Sequence, residues 1–251
     1  MQECGGLFGL DSWVFDPNKL FEPEKFRHVI TLNMEILSLI ARGSLDEAVL
    51  GSVAFTLDGQ PLYWVARLAR GRERPQKISG SDLIWSVAEY AGRTGRSIFL
   101  LGDDELTNEL AIKELRERFG GDVFGFSPPY VHVAFDDGLN EEIIKMIKEI
   151  HPYYLFVAFG APKQEQWIYQ NRVELEDAGV KLVVGVGGSF GFVSGRERRA
   201  PGWVQKIGLE WLYRAIQNPK RLVRNFRSLP ALGRLWAELW GFLVGAQSQQ
   251  K

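Results

Sequence analysis

Short apolar runs rich in β-branched and aromatic side chains alternate, over the first 195 residues, with longer stretches of helical periodicity. That alternation is the pattern of βαβ units building a parallel sheet. It predicts six strands, near His28–Thr31, Ser52–Leu57, Ser97–Leu101, Asp122–Phe126, Tyr153–Phe159 and Lys181–Val186. Helical patterns fall near 33–42, 60–70, 81–93, 105–119, 139–150 and 162–173. Gly43, Gly71 and Gly95 stand just past the last periodic residue of three of them, where a left-handed residue ends a helix. The strands are almost continuously apolar, as expected when helices cover both faces of a sheet.

The expected fold is therefore α/β: a Rossmann-like parallel sheet of about six strands with helices on both faces. Ligands of such sheets sit at the carboxyl ends of the strands. Thr31, Asp58, Gly102, Ser127, Gly160 and Gly187 are at or just past those ends. After Gly195 the pattern is helical only, with Pro201, Pro219 and Pro230 marking segment starts. Residues 1–195 thus read as a core and 196–251 as an all-helical appendage. In its last piece Leu232, Leu235, Trp236, Leu239, Trp240, Leu243 and Val244 form one apolar stripe. That stripe suits either a helix packed on the core or one lying in a membrane interface, where Trp favours the headgroup layer.

Composition narrows the classes. With 45% apolar and 24% charged residues in 251, the chain has the make-up of a globular protein, and its formal charge of −1 argues against a general nucleic-acid binder. The charge is uneven. Residues 196–227 hold nine basic and two acidic side chains, a local +7, leaving −8 for the rest. Such a segment is either a solvated basic surface or one drawn to anionic lipid or phosphate. The single Cys4 excludes an internal disulfide, and three scattered histidines, His28, His132 and His151, argue against a zinc site. No signal-peptide pattern and no run of 18 uncharged apolar residues occurs, so a cytosolic protein, soluble or at the membrane surface, is expected.

Several motifs carry chemistry. Gly187-Gly188-Ser189-Phe190-Gly191 matches the G-x-S-x-G nucleophile elbow, but that fold needs a histidine after the serine and all three here precede it. The run after Ser189 also reads poorly as the start of a buried helix. A dinucleotide fingerprint fails too, because Phe190 stands where its third glycine should be. What remains is a glycine-rich turn, either a plain tight turn or one whose N–H groups approach a phosphate. Asp58-Gly59 is a strand-to-helix corner; its carboxylate is either a turn former or a base at the mouth of the sheet. Thr31 and Asn33 share that geometry one strand earlier, as pocket residues or as helix caps. Asp103-Asp104 and Asp136-Asp137 read as caps or turns, and with no Asp-x-Asp pair anywhere a metal is not expected. Gly160-Ala161-Pro162-Lys163-Gln164-Glu165 sets Lys163 and Gln164 at a helix N-terminus, which favours an anion.

These residues resemble the WecG/TagA/CpsF family of glycosyltransferases from about Val29 to Phe226. The matching pieces are Thr31-x-Asn33-x-Glu35, Asp58-Gly59, Ser79-Gly80-Ser81-Asp82-Leu83, Phe99-Leu100-Leu101-Gly102, Gly160 to Glu165, Gly185-Val186-Gly187, and Arg199-Ala200-Pro201-x-Trp203 through Gly208-Leu209-Glu210-Trp211-Leu212-Tyr213-Arg214. The resemblance implies inverting, metal-independent transfer of a sugar from a UDP-sugar to a lipid-diphosphate-linked sugar, in assembly of a bacterial surface polysaccharide. It implies Asp58 as the base, with Thr31 and Asn33 shaping the pocket. Gly102, Gly160, Lys163, Gln164, Gly185, Gly187 and Gly188 would hold the donor, and Arg214, Arg221 and Arg224 would engage diphosphate as the appendage closes.

No cofactor is implied, and the expected location is the inner face of the cell membrane, with self-association a further expectation. Gln76-Lys77-Ile78 departs from the family's Glu-Arg-Val, so Lys77 would supply the charge without the two-pronged phosphate contact of Arg. Leu57 to Trp64 and Ser127-Pro128-Pro129-Tyr130 look more like members from exopolysaccharide clusters than teichoic-acid enzymes. Glucose, N-acetylmannosamine and its uronic acid are all open as donor sugar. The reading from another class is a non-catalytic protein that binds nucleotide and membrane.

Overall fold

The computed structural model describes Val14, residues 16–51, 53–60, 62–64, Arg67, 76–129, 136–198, 200–201, and the single positions Val204, Tyr213 and Gly233. Six strands form one sheet: β1 (Arg27–Leu32), β2 (Val53–Leu57), β3 (Ile98–Gly102), β4 (Val123–Phe126), β5 (Tyr154–Ala158) and β6 (Leu182–Gly185). All neighbours are parallel, in the order β2-β1-β6-β5-β3-β4. The helices are α1 (Met34–Ala41), α2 (Glu47–Leu50), α3 (Gly80–Thr94), α4 (Glu105–Phe119), α5 (Asp137–Ile150), α6 (Lys163–Gln170), α7 (Arg172–Asp177) and α8 (Phe190–Val193).

Alternating strand side chains divide the core between the two faces. Val29, Leu100, Phe156 and Val184 pack with α3, α4 and α8. Their neighbours in sequence, Phe99, Leu101, Leu155, Val157 and Val183, pack with α5, α6 and α7. Ile30, Leu32, Phe55 and Leu57 pack with α1 and α2. Local chemistry sets the helix ends. Asn33, Ser79, Asp104 and Asp136 accept backbone N–H bonds as N-caps, so one aspartate of each pair, Asp104 and Asp136, is a cap as expected. Gly95, at φ 68°, closes α3.

Three local expectations need correction. Pro162 stands at the N-cap of α6 rather than inside its first turn. The helix expected over 162–173 breaks at Asn171, whose side-chain amide and backbone N–H both bond to the Trp167 carbonyl. The residues after Ser189 do begin a buried helix: Phe190 and Val193 in α8 insert into the core between α3 and α4, an anchorage that a four-residue run cannot signal by periodicity. Of the pattern over 60–70, Gln60, 62–64 and Arg67 are helical and the rest, with Gly71, lies outside the described residues. So do Arg214, Arg221, Arg224, and the apolar stripe of 229–244 apart from Gly233. Among the described residues no helix is long and apolar enough to cross a membrane.

Candidate functional site

The carboxyl ends of β1, β2 and β6 bring Thr31, Asn33 and Asp58 together. Leu32 is in register with Leu57, and the Asp58 N–H donates to the Leu32 carbonyl at 2.8 Å, which carries the β1–β2 ladder past the strand end and sets Asp58 beside Asn33. The Asn33 side-chain oxygen caps α1 through the Glu35 and Ile36 N–H groups, at 2.9 and 3.0 Å. Thr31 is buried, and its hydroxyl donates across to the Gly185 carbonyl of β6 at 3.3 Å. Lys77 forms an isolated parallel bridge to Leu57, one residue before Asp58, so its half-buried side chain belongs to the same rim.

Beyond β6 lies a buried clasp. Gln164 sits in the first turn of α6, and its side-chain carbonyl accepts the N–H of Gly160 at 3.1 Å and of Gly187 at 3.0 Å. Those two N–H groups therefore turn inward, tying the loop after β5 to the loop after β6. The Gln164 amide nitrogen donates in turn to Oε1 of Glu165 at 2.7 Å. Both side chains lie over Gly185, where a Cβ would meet Gln164 Nε2 at 2.6 Å and Glu165 Oε1 at 2.9 Å, so only glycine fits. Glu165 is fully buried, and its Oε2 has no hydrogen-bond partner. Burial raises its carboxyl from 4.5 to about 7; the Gln164 bond opposes that rise and the Glu35 charge adds to it.

A cleft of about 640 Å³ opens at the ends of β3, β4 and β5, lined by Gly102, Asp103, Asp104, Glu105, Ser127, Pro128, Pro129, Ala158, Phe159 and Lys163. The chain leaves β3 toward α4 on one face and β5 toward α6 on the other, so this is a topological switch point, where open α/β sheets bind ligands. Gly102 (φ 105°) has no room for a side chain, since a Cβ would meet Phe159 Cδ1 at 2.9 Å. Its carbonyl accepts from Asn108 Nδ2 at 2.8 Å and from the Ser127 hydroxyl at 3.2 Å. Asp103 adopts φ 62°, and burial, reinforced by the Asp104 and Glu197 charges, raises its carboxyl above the ordinary value. Burial lowers the Lys163 ammonium. At the lip, Arg196 binds Asp104 at 2.6 Å and also the Thr107 hydroxyl.

The structure thus gathers Thr31, Asn33, Lys77 and Asp58 on one side, Gly102 and Lys163 on the other, and Gly160, Gln164, Gly185, Gly187 and Gly188 between them. Ser189 is buried and its hydroxyl donates to the Val186 carbonyl at 2.7 Å, an internal role. The sequence pointed to no site role for Glu165, nor for Asp103, Phe159 and Arg196 at the cleft. The signal for Glu165 was its place beside Gln164 opposite a strand glycine; for Asp103 it was the strand-end Gly-Asp pair. Among the described residues no three His, Cys, Asp or Glu side chains converge as a metal site requires.

A parallel sheet with a carboxylate at one strand end, glycine loops at the next and a mixed polar and apolar cleft at the switch point is the arrangement in which open α/β domains bind ligands. Residues 15–243 match the Glycosyl transferase WecG/TagA/CpsF family, and the chain belongs to that family. A protein of Bacillus spizizenii (strain W23) named N-acetylglucosaminyldiphosphoundecaprenol N-acetyl-beta-D-mannosaminyltransferase is 32% identical over 211 residues, which are 83% of this chain and 78% of that protein. A protein of the same name from Staphylococcus aureus (strain MRSA252) is 32% identical over 154 residues, 61% of this chain and 57% of its own length. The chain thus spans a little over half the length of the staphylococcal relatives it matches.

Proposed function

We propose that this glycosyltransferase moves a sugar from a UDP-sugar, with inversion and without a metal, to a sugar linked through a diphosphate to a polyprenyl lipid. The observation that carries the reading is the adjacency of Asp58, Thr31 and Asn33 at the β1–β2 mouth, across the sheet from a cleft large enough for a nucleoside diphosphate. Asp58 removes the proton from the acceptor hydroxyl as that oxygen bonds to the anomeric carbon, and the carbon–phosphate-oxygen bond breaks on the opposite face. The leaving UDP gains charge, and fixed cations answer it. Lys163 at the cleft and Lys77 at the rim are two; Arg214, Arg221 and Arg224 of the C-terminal segment are the others. The Arg196 bonds to Asp104 and Thr107 support a segment that starts at the cleft lip and closes over it. Its basic, Trp-bearing sequence supports peripheral contact with the inner face of the cell membrane.

The relatives' names favour N-acetylmannosamine as the sugar moved and N-acetylglucosaminyl-diphosphoundecaprenol as the acceptor. Glucose and the uronic acid stay within the panel to be tried. The test is product formation from a set of UDP-sugars and an isoprenyl-diphosphate-linked sugar, without divalent metal, with Asp58→Asn alongside. Transfer from one donor, cut about 10²- to 10⁴-fold in the variant while UDP binding is kept, supports the reading. Full turnover in the variant removes Asp58 from the role. Tight UDP binding with no transfer from any donor favours the non-catalytic nucleotide- and membrane-binding protein.

A further inference from the structure

We propose that Glu165 is a positioning residue that works as a neutral acid, holding the Gln164 amide so that the loops after β5 and β6 stay clasped, and that its deprotonation opens the clasp. Gln164 accepts from Gly160 and Gly187 through one oxygen, so its amide plane must keep a single orientation for both bonds to form. Glu165 Oε1 fixes that plane by accepting from Nε2 at 2.7 Å. Both side chains fill the space that a Cβ of residue 185 would take, so they lie close against the backbone of β6. Thr31 bonds to the carbonyl of that same Gly185, which connects the clasp to the Asp58 side of the site.

The surroundings disfavour an anion. Glu165 is fully buried and Oε2 has no partner, so an ionised carboxylate there is satisfied by one amide bond and the N–H of its own residue. The group facing it from β6 is Gly185, without a side chain, and the residue of β1 in register with Gly185 is the apolar Ile30. From α1 comes Glu35, whose charge repels. On its own helix Lys163 lies toward the cleft, its Nζ 5.9 Å from the centre of the Phe159 ring. Among the described residues no lysine or arginine acts on the carboxyl. Ionisation strengthens the Oε1 bond but leaves a charged Oε2 with no donor, so it favours an opened arrangement in which water reaches Oε2 and the Gln164 amide that Oε1 holds is displaced.

The proposal rests on the transfer reaction only for its effect on turnover; the clasp is read directly. Hydrogen exchange at the Gly160 and Gly187 amides, corrected for intrinsic rate, is followed from pH 5 to 9 in the full-length wild type, Glu165→Gln and Glu165→Ala. Glu165→Gln keeps a neutral acceptor in the same shape. Expected are wild-type protection that falls by up to about tenfold per pH unit between the ordinary carboxyl value of 4.5 and about 7 and levels off above it, and protection in Glu165→Gln that stays level throughout. Transfer by Glu165→Gln then keeps its low-pH rate and lacks the wild-type fall between about pH 5 and 7 set by the clasp, and Glu165→Ala, if it folds, shows low protection at every pH. Level protection in the wild type, or loss of protection in Glu165→Gln, overturns the proposal. A pH-dependent clasp in a protein that transfers no sugar sinks the transfer reading and leaves the clasp standing.

Discussion

Replacing Glu165 by Gln should change how stability depends on pH. The folded protein holds the Glu165 proton up to about pH 7, whereas the unfolded chain releases it near 4.5. Between those values the unfolded state binds fewer protons than the folded one, so stability falls as pH rises through the window. Below it both states are protonated, and above it both are ionised, so the loss is then complete. The gap of 2.5 units, at about 1.4 kcal/mol each, corresponds to about 3 kcal/mol withheld from the wild type at pH 8 relative to pH 4. Gln occupies the same volume and cannot ionise. Urea unfolding of both proteins from pH 4 to 8 measures the effect as the difference between two curves, which cancels titrations common to both. The wild type should lose about 3 kcal/mol more than Glu165→Gln across the window. Parallel curves would refute the reasoning, because they would mean that water or an unseen partner already satisfies the carboxylate.

Other substitutions test other parts of the argument. Gly185→Ala forces a methyl against Gln164 and Glu165 and should cost about 1–3 kcal/mol in urea unfolding, with transfer falling further than the loss of fold explains; a change under about 0.5 kcal/mol would show that the clasp has slack. His28 is buried with Nε2 unpartnered, and burial drives its imidazolium down to about 3 from 6.5. The wild type should therefore lose stability as pH falls through that interval, since the unfolded chain takes up a proton that the folded one refuses, and His28→Phe should lack that component of the acid limb. Truncation after Gly195 should leave the core folded by circular dichroism while abolishing transfer and vesicle binding. Efficient transfer by the truncated core would remove Arg214, Arg221 and Arg224 from the site.

What could be read from the sequence follows from the range of the interactions involved. Each strand was placed to within one or two residues, because continuous apolar runs between capped helices are local signals, and Asn33, Asp104 and Asp136 announce their helices for the same reason. The position of Asp58 at the mouth of β2 was legible because a carboxylate just past a strand end is visible one residue at a time. Strand order was not, since pairing β1 with β6 rather than β3 depends on which faces pack. Glu165 was missed because polar Lys163, Gln164, Glu165 and Gln166 look like a solvated first turn. Its burial comes from a strand glycine some twenty residues later that makes room for two polar side chains. The break at Asn171 and the anchorage of Phe190 likewise depend on particular bonds and contacts across elements.

The place of β1 in the sheet bears on how the molecule comes into being. Its outer neighbour β2 follows within about two dozen residues, but its inner neighbour is the last strand, and the Thr31–Gly185 bond joins residues 154 apart. As the chain leaves the ribosome, one edge of the β1–β2 pair has no partner until β6 has been made. The half of the site that carries Asp58 is thus joined to the rest by the sheet's most distant pairing. Contacts of that range are slow to form, and an open edge invites pairing with other chains, so the interval in which β1 waits for β6 is the one in which the nascent chain is most exposed to association.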